Sequence, residues 1–305
     1  EISKKHITGF VDYRNGQIIK QSDFRIGAKW ANVIRYRWKE FQEYAQEYYR
    51  LREPFFRKYP VMFPVVPQLG FAYAVSTYFP DPDPETTTVD GDCSRETDGT
   101  FASVRDGAGT AATSAVVANL ARVETAPTTD NFRSMFVGIL LFDSGGGAGA
   151  NDSPGLPDTD TISQAQLKLT SDAKTDQLGQ SAVLTNANPA SNTNIVAGDF
   201  TTHVTEMGTE RGTARITVTN WDVTGTAEAN VFTIVSPDTN VSKTGITKLG
   251  LRTSADFDNS APTWVQNNQG RFTWIAADTA GTTSDPRLVV THAGAAVSNF
   301  LLMGV

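Results

Sequence analysis

A charge-free apolar run, Met135-Phe136-Val137-Gly138-Ile139-Leu140-Leu141-Phe142, stands out from the polar sequence around it. Its length and its β-branched, aromatic and aliphatic content predict a strand buried on both faces. Asp143-Ser144, the glycine-rich loop from Gly145 to Gly149, Pro154-Gly155 and Pro157 then break the pattern. Ile162, Ala165, Leu167 and Leu169 resume it, the last three alternating with Gln166 and Lys168, as a half-buried strand does. A buried strand, a long loop and a half-buried strand form the pattern of a β-sandwich core.

The same reading extends along the chain from Phe71. Strands are predicted at Ala72–Tyr78, Phe101–Arg105, Ala115–Val123, Arg133–Phe142, Gln164–Thr170, Ala182–Thr185, Ala214–Val218, Val231–Ile234, Thr247–Arg252, Arg271–Ala276 and Arg287–Thr291. Short strands separated by polar turns point to two packed antiparallel sheets, a jelly roll by their number and spacing. No helical period lies between them, which excludes parallel βαβ units.

Upstream the period changes. Trp30, Val33, Ile34, Trp38, Phe41, Ala45, Tyr48 and Leu51 recur at spacings of three and four, and Glu53-Pro54 ends the pattern. This predicts one long amphipathic helix over about residues 29–53. Its aromatic stripe, Trp30, Ile34, Trp38, Phe41 and Tyr48 above all, needs a cover and is the candidate anchor or assembly surface. A proline-punctuated strap follows, Tyr59-Pro60-Val61-Met62-Phe63-Pro64-Val65-Val66-Pro67. Its prolines exclude helix interior and central strand. The expected organisation is an arm over 1–70, a sandwich over 71–293, and an apolar tail over 294–305. The expected class is mainly β: a jelly-roll-like antiparallel sandwich preceded by an arm with one long amphipathic helix.

Charge sharpens this division. The net charge is −7, yet residues 1–60 carry 13 Lys/Arg against 7 Asp/Glu, so the remainder is strongly acidic. A basic arm on an acidic body implies different partners for the two. Lys29, Arg35, Arg37 and Lys39 interleave with aromatics as in nucleic-acid arms, but they equally form the solvated face of an ordinary helix, and nucleic acid is disfavoured. No apolar window reaches the roughly 18 residues of a membrane span. Cys93 is the only cysteine, so no intrachain disulfide forms.

Candidate chemistry is sparse. His6, His203 and His292 lie far apart in sequence, and no Gly-x-Ser-x-Gly elbow is present. A Ser-His-Asp arrangement is assembled in space and is not readable from spacing, but nothing local supports one. Asp81/Asp83, Asp90/Asp92, Asp158/Asp160 and Asp256/Asp258 are carboxylate pairs of the kind turns use. Asp90, Asp92, Asp256 and Asp258 are the candidates for a structural calcium, because loop carboxylates suit that ion; no other cofactor is expected. The glycine run lacks the Gly-Lys-Ser/Thr of a phosphate loop. Trp264, following Pro262 in a polar loop, and Trp221 are the candidate platforms for sugar rings, while Trp274 belongs to an alternating strand and reads as core.

Several of these fragments, in order, resemble a known module. Arg133-Ser134-Met135-Phe136 leading to Leu141-Phe142-Asp143, then Ile162-Ser163-Gln164-Ala165-Gln166-Leu167-Lys168-Leu169, resembles the DNRLRE-type β-sandwich. The closing Asp285-Pro286-Arg287-Leu288-Val289-Val290-Thr291 is similar to that family's last strand, with His292 where an aromatic is common. Thr77-Tyr78-Phe79-Pro80-Asp81 and Gly245-Ile246-Thr247-Lys248-Leu249-Gly250-Leu251-Arg252 resemble the same module in phage virion proteins. The resemblance covers about residues 75–292. It implies a carbohydrate-binding-like jelly roll that is not an enzyme, located in a virion, with copies of itself (a homotrimer by family habit) and other virion proteins as partners. The alternative it implies is an extracellular or cell-surface module that recognises a host glycan.

Overall fold

The structure, a computed structural model, describes residues 73–147, 152–171, 173–225 and 229–293. The expected helix over 29–53 with its anchor residues Trp30, Ile34, Trp38, Phe41 and Tyr48, the strap and the apolar tail lie outside the described residues. In chain order the elements are β1 (Tyr73–Tyr78), β2 (Asp90–Arg95), β3 (Gly99–Thr100), α1 (Phe101–Arg105), β4 (Ala111–Thr113), β5 (Ala118–Thr125) and β6 (Asn131–Phe142). Then come β7 (Thr161–Leu169), β8 (Lys174–Asp176), β9 (Ser181–Asn186), α2 (Ala197–Glu206), β10 (Ile216–Thr217) and β11 (Asn230–Thr233). The last are α3 (Pro237–Asn240), β12 (Thr247–Thr253), α4 (Ser254–Phe257), β13 (Gln269–Ile275) and β14 (Arg287–Ala293).

The fold is mainly β and antiparallel. One sheet has the order β1-β14-β7-β11, and the larger runs β10-β9-β12-β6-β5-β13-β8, with β2 and β3 also on β6 and β4 on β2. The chain passes back and forth between the layers. Among β1, β6, β7, β9, β10, β11, β12 and β14, the smaller sheet takes the first, third, sixth and last, and the larger sheet takes the rest. Most sheet neighbours are therefore distant in sequence, the β5–β6 pair excepted.

β6 is the spine. Phe136 pairs with both Ser94 of β2 and Arg122 of β5, and Leu140 pairs with both Asp90 of β2 and Leu249 of β12. A strand residue has one partner per edge, so β2 lies along one edge while β5 and β12 share the other. They part at Gly138. A Cβ there would lie 2.1 Å from Cη2 of Trp274, whose indole fills the fork.

The two faces of β6 enter two cores. Leu140 and Phe142 join Leu167, Leu169, Leu184, Phe232, Leu251, Phe272, Trp274 and Leu288 between the sheets. Met135, Val137, Ile139 and Leu141 join Phe101, Val104, Phe200 and Met207 on the outer face, beneath α1 and α2. Burial on both sides is why the run carries no charge.

Two predicted elements differ. Phe101–Arg105 is a helical turn and not a strand, because the Thr100 hydroxyl caps it by accepting the Ser103 N–H, and Phe101 and Val104 turn inward together. Of the strand expected over Ala214–Val218, only β10 pairs. Two elements carry no strong apolar signal: β2, rich in Asp and Ser, and α2, which Asp199 initiates by accepting the Val196 N–H at 2.8 Å.

Candidate functional site

Three polar clusters interrupt the apolar packing. The first is fully buried. α4 delivers Asp256, β12 delivers Arg252, α2 delivers His203 and α1 delivers Arg105. Arg252 makes a two-pronged contact, Nε to Asp256 Oδ2 at 2.7 Å and Nη2 to Oδ1 at 2.8 Å. His203 Nε2 donates to Asp256 Oδ1 at 3.0 Å, and its Nδ1 faces the Phe200 carbonyl at 2.5 Å. Both ring nitrogens face acceptors, a carboxylate on one side and a backbone carbonyl on the other. Arg105 Nε donates to the Asp256 carbonyl at 2.7 Å. Burial opposes ionisation of Asp256, but His203 and Arg252 outweigh it and hold the carboxyl well below the usual range. This is a knot that fastens helices to the outer face of the sheet. Asp258, its neighbour, is bridged by Arg215 at 2.6 and 2.9 Å. Asp256 and Asp258, expected as calcium ligands, are thus engaged by Arg252 and Arg215.

The second cluster was invisible in sequence. Ser76 Oγ lies 2.9 Å from His292 Nε2, and His292 Nδ1 lies 2.6 Å from Asp160 Oδ2. This is the hydrogen-bond chain of a Ser-His-Asp triad. It joins the first strand of the smaller sheet, the last strand, and the turn before β7. Ser76 and Tyr78 share the core-facing side of β1, as Leu288, Val290 and His292 do on β14. The group therefore occupies a rung of the sheet's inner face, with Ser76, His292 and Asp160 exposed by 8, 5 and 9 %. The next backbone donor along β1, Thr77 N–H, is already held by Ser153 Oγ at 2.9 Å, so it is not free for an oxyanion.

The third cluster is acidic. Asp90, buried in β2, accepts from Asn119 Nδ2 at 2.8 Å and from Ala277 N–H at 3.3 Å. Burial, with Asp278 and Asp285 nearby, pushes its carboxyl well above the ordinary range. Asp92 accepts from Leu120 N–H at 3.1 Å, and burial raises it to about 7 while Arg122 opposes the shift. Asp90 and Asp92 thus answer to different charges and do not act as the pair expected from sequence. Burial also lifts Asp285 to about 7, with Asp278 adding to it and Arg287 opposing. Among the described residues no three His, Cys, Asp or Glu side chains already form a metal shell.

No protein-family model matches the chain, and no curated protein does.

The tryptophans divide. Trp221 is fully buried, edge-on to Phe272 at 5.2 Å, and its Nε1 donates to the Thr273 carbonyl. It is core and not a sugar platform. Trp264 is half-buried, with its indole N–H donated to the Asn131 carbonyl at 3.1 Å. The groove in the same loop region, about 370 Å³, is lined by Gln177, Gln180, Ser254, Asp258, Pro262 and Val265, and not by the Trp264 ring. A second hollow of about 730 Å³ lies against α2 and Lys248.

Proposed function

We propose that this chain is a non-enzymatic structural protein of a virion, a capsid-decoration or head/tail-fibre component. Residues 1–70 anchor it, and the sandwich is displayed. The observation that supports the reading is the antiparallel two-sheet architecture: β1, at the edge of the smaller sheet, pairs with the last strand β14, and the chain passes repeatedly between the sheets. The jelly roll of the module the sequence resembles is a finer reading of that architecture. The buried charged and polar groups add support, because Asp256, His203, Arg252 and Asp90 lie in packing layers where they hold elements together. Its partners in this reading are other virion proteins and copies of itself, three to an assembly by family habit. Host-glycan recognition is weaker, since Trp221 is core and Trp264 does not line the adjacent groove.

Gradient-purified particles from a producing host test it. The full chain is expected at fixed stoichiometry per particle, and a form lacking residues 1–58 is expected to remain unbound. Absence of the full chain from particles overturns the reading, and full occupancy by the truncated form overturns the anchor.

A further inference from the structure

Two arginines stand face to face on the larger sheet. Arg271 of β13 pairs directly with Arg122 of β5, so both side chains leave the same face, about 4.5–5.5 Å apart at Cβ. The rung continues to Thr175 of β8 on one side and to Phe136 of β6 on the other. Phe272 and Trp274, whose side chains point into the core between the sheets, show that Arg271 lies on the opposite face of β13 or, for Trp274, three positions along it. Like charges directly opposite one another are unfavourable in a sheet. Burial lowers the Arg122 guanidinium from its ordinary value and the Arg271 charge adds to this, while Glu124 and Glu96 oppose it. Phe136 lies under that guanidinium, with Arg122 Cζ 4.3 Å from the ring centre.

The carboxylate beside the pair is already engaged. Glu124, one rung along, accepts from Ser134 Oγ at 3.1 Å and meets Arg122 Nη2 and Arg133 Nη1 at 3.5 Å each. The rung on the other side, Leu120 and Thr273, carries no charge. Among the described residues Arg271 enters no ion pair and no side-chain hydrogen bond, and the Nε atoms of Arg122 and Arg271 are both enclosed without a partner. The pair thus presents donors that the fold does not satisfy. We propose that Arg122 and Arg271, with the Thr175 hydroxyl beside them, bind a tetrahedral oxyanion, a phosphate or sulfate group. A guanidinium is a planar fork of donors, and a planar carboxylate matches one such fork. A tetrahedral anion has oxygens enough for two. The Arg122 side chain is only 19 % exposed, so its attraction for an anion is less weakened by water than that of a surface arginine. An anion between the two cancels the cross-strand repulsion and stabilises the β5–β13 pairing. The site is independent of the virion reading.

The test uses the full chain in chloride buffer, titrated with sodium sulfate, sodium phosphate and sodium acetate by calorimetry and thermal melting, with sodium chloride matching ionic strength. Saturable binding and a raised Tm are expected from sulfate and phosphate, and weaker binding from acetate. Arg271→Gln is expected to bind sulfate about tenfold more weakly, the loss of one charge-assisted hydrogen bond. Without sulfate it is expected to melt no lower than the parent, because the repulsion has been removed. Lys248→Gln, on β12, is expected to bind as the parent does. A parent that responds to sulfate and phosphate no more than to chloride overturns the proposal, and so does parental affinity in Arg271→Gln. Acetate bound as tightly as sulfate overturns the tetrahedral assignment, and an equal loss in Lys248→Gln reduces the effect to net charge and overturns the site.

Discussion

His292 and His203 carry the same ring in opposite roles. Both nitrogens of His203 face acceptors, and the ring helps to hold the Asp256 carboxyl low. His292 has a carboxylate on Nδ1 and a hydroxyl on Nε2, an arrangement that matches Nδ1–H donating to Asp160 and Nε2 accepting from Ser76. That is the tautomer a general base needs, and the distinction from an esterase lies in access and in oxyanion donors, not in the relay. Ser76 faces the core side of its strand, and Thr77 N–H is engaged by Ser153. A fluorophosphonate probe is therefore expected to leave Ser76 unmodified by mass spectrometry of the native chain. Ser76→Ala is expected to lower stability by about 0.5–1.5 kcal/mol, the worth of an ordinary hydrogen bond. An adduct on Ser76 that disappears in His292→Ala would overturn the non-enzymatic reading.

At the scale of elements, the fork in the larger sheet depends on one missing methyl. A Cβ at residue 138 meets Cη2 of Trp274 at 2.1 Å and Cζ2 at 2.5 Å, and the indole is fully buried among Phe272 and Leu140 with no room to retreat. Gly138→Ala is expected to cost about 1–3 kcal/mol in urea unfolding through overpacking. Adding Trp274→Phe should recover part of that loss, a coupling expected of residues in contact. A Gly138→Ala variant as stable as the parent would show that β5 and β12 part for another reason. The β6 and β7 pattern was legible because burial on two faces and on one face writes two different hydrophobic periods. β2 was not, since its Asp90, Asp92 and Ser94 are buried by partners on β5 and β6 that only the tertiary pairing supplies. The turn at Phe101–Arg105 was misread as a strand because five apolar-rich residues fit either period, and the Thr100 cap decides. The Ser76–His292–Asp160 chain spans 216 residues, a separation no local motif can encode.

For the molecule as a whole, the acidic body makes folding stability a function of pH in an unusual direction. Asp92 and Asp285 are raised to about 7 by burial, and burial also raises Asp90 well above the ordinary range. In the unfolded chain each titrates near 3.9. Between those limits the native state binds more protons than the unfolded one, so stability is full below about pH 4 for these groups and declines as pH rises through 7. Asp256 acts oppositely. Held low by His203 and Arg252, it contributes stability above the unfolded carboxyl range that is lost in acid. The two trends cross, and the protein is expected to melt highest in mildly acidic buffer, near pH 5, and lower at pH 7.5. Asp92, whose charge neighbours are Arg122 and Glu96, carries part of that slope, so Asp92→Asn should flatten it in part. Thermal melts of the parent and the variant from pH 4 to 8 measure both. A Tm that rises steadily to pH 7.5 in the parent would show that these carboxylates ionise freely in the fold.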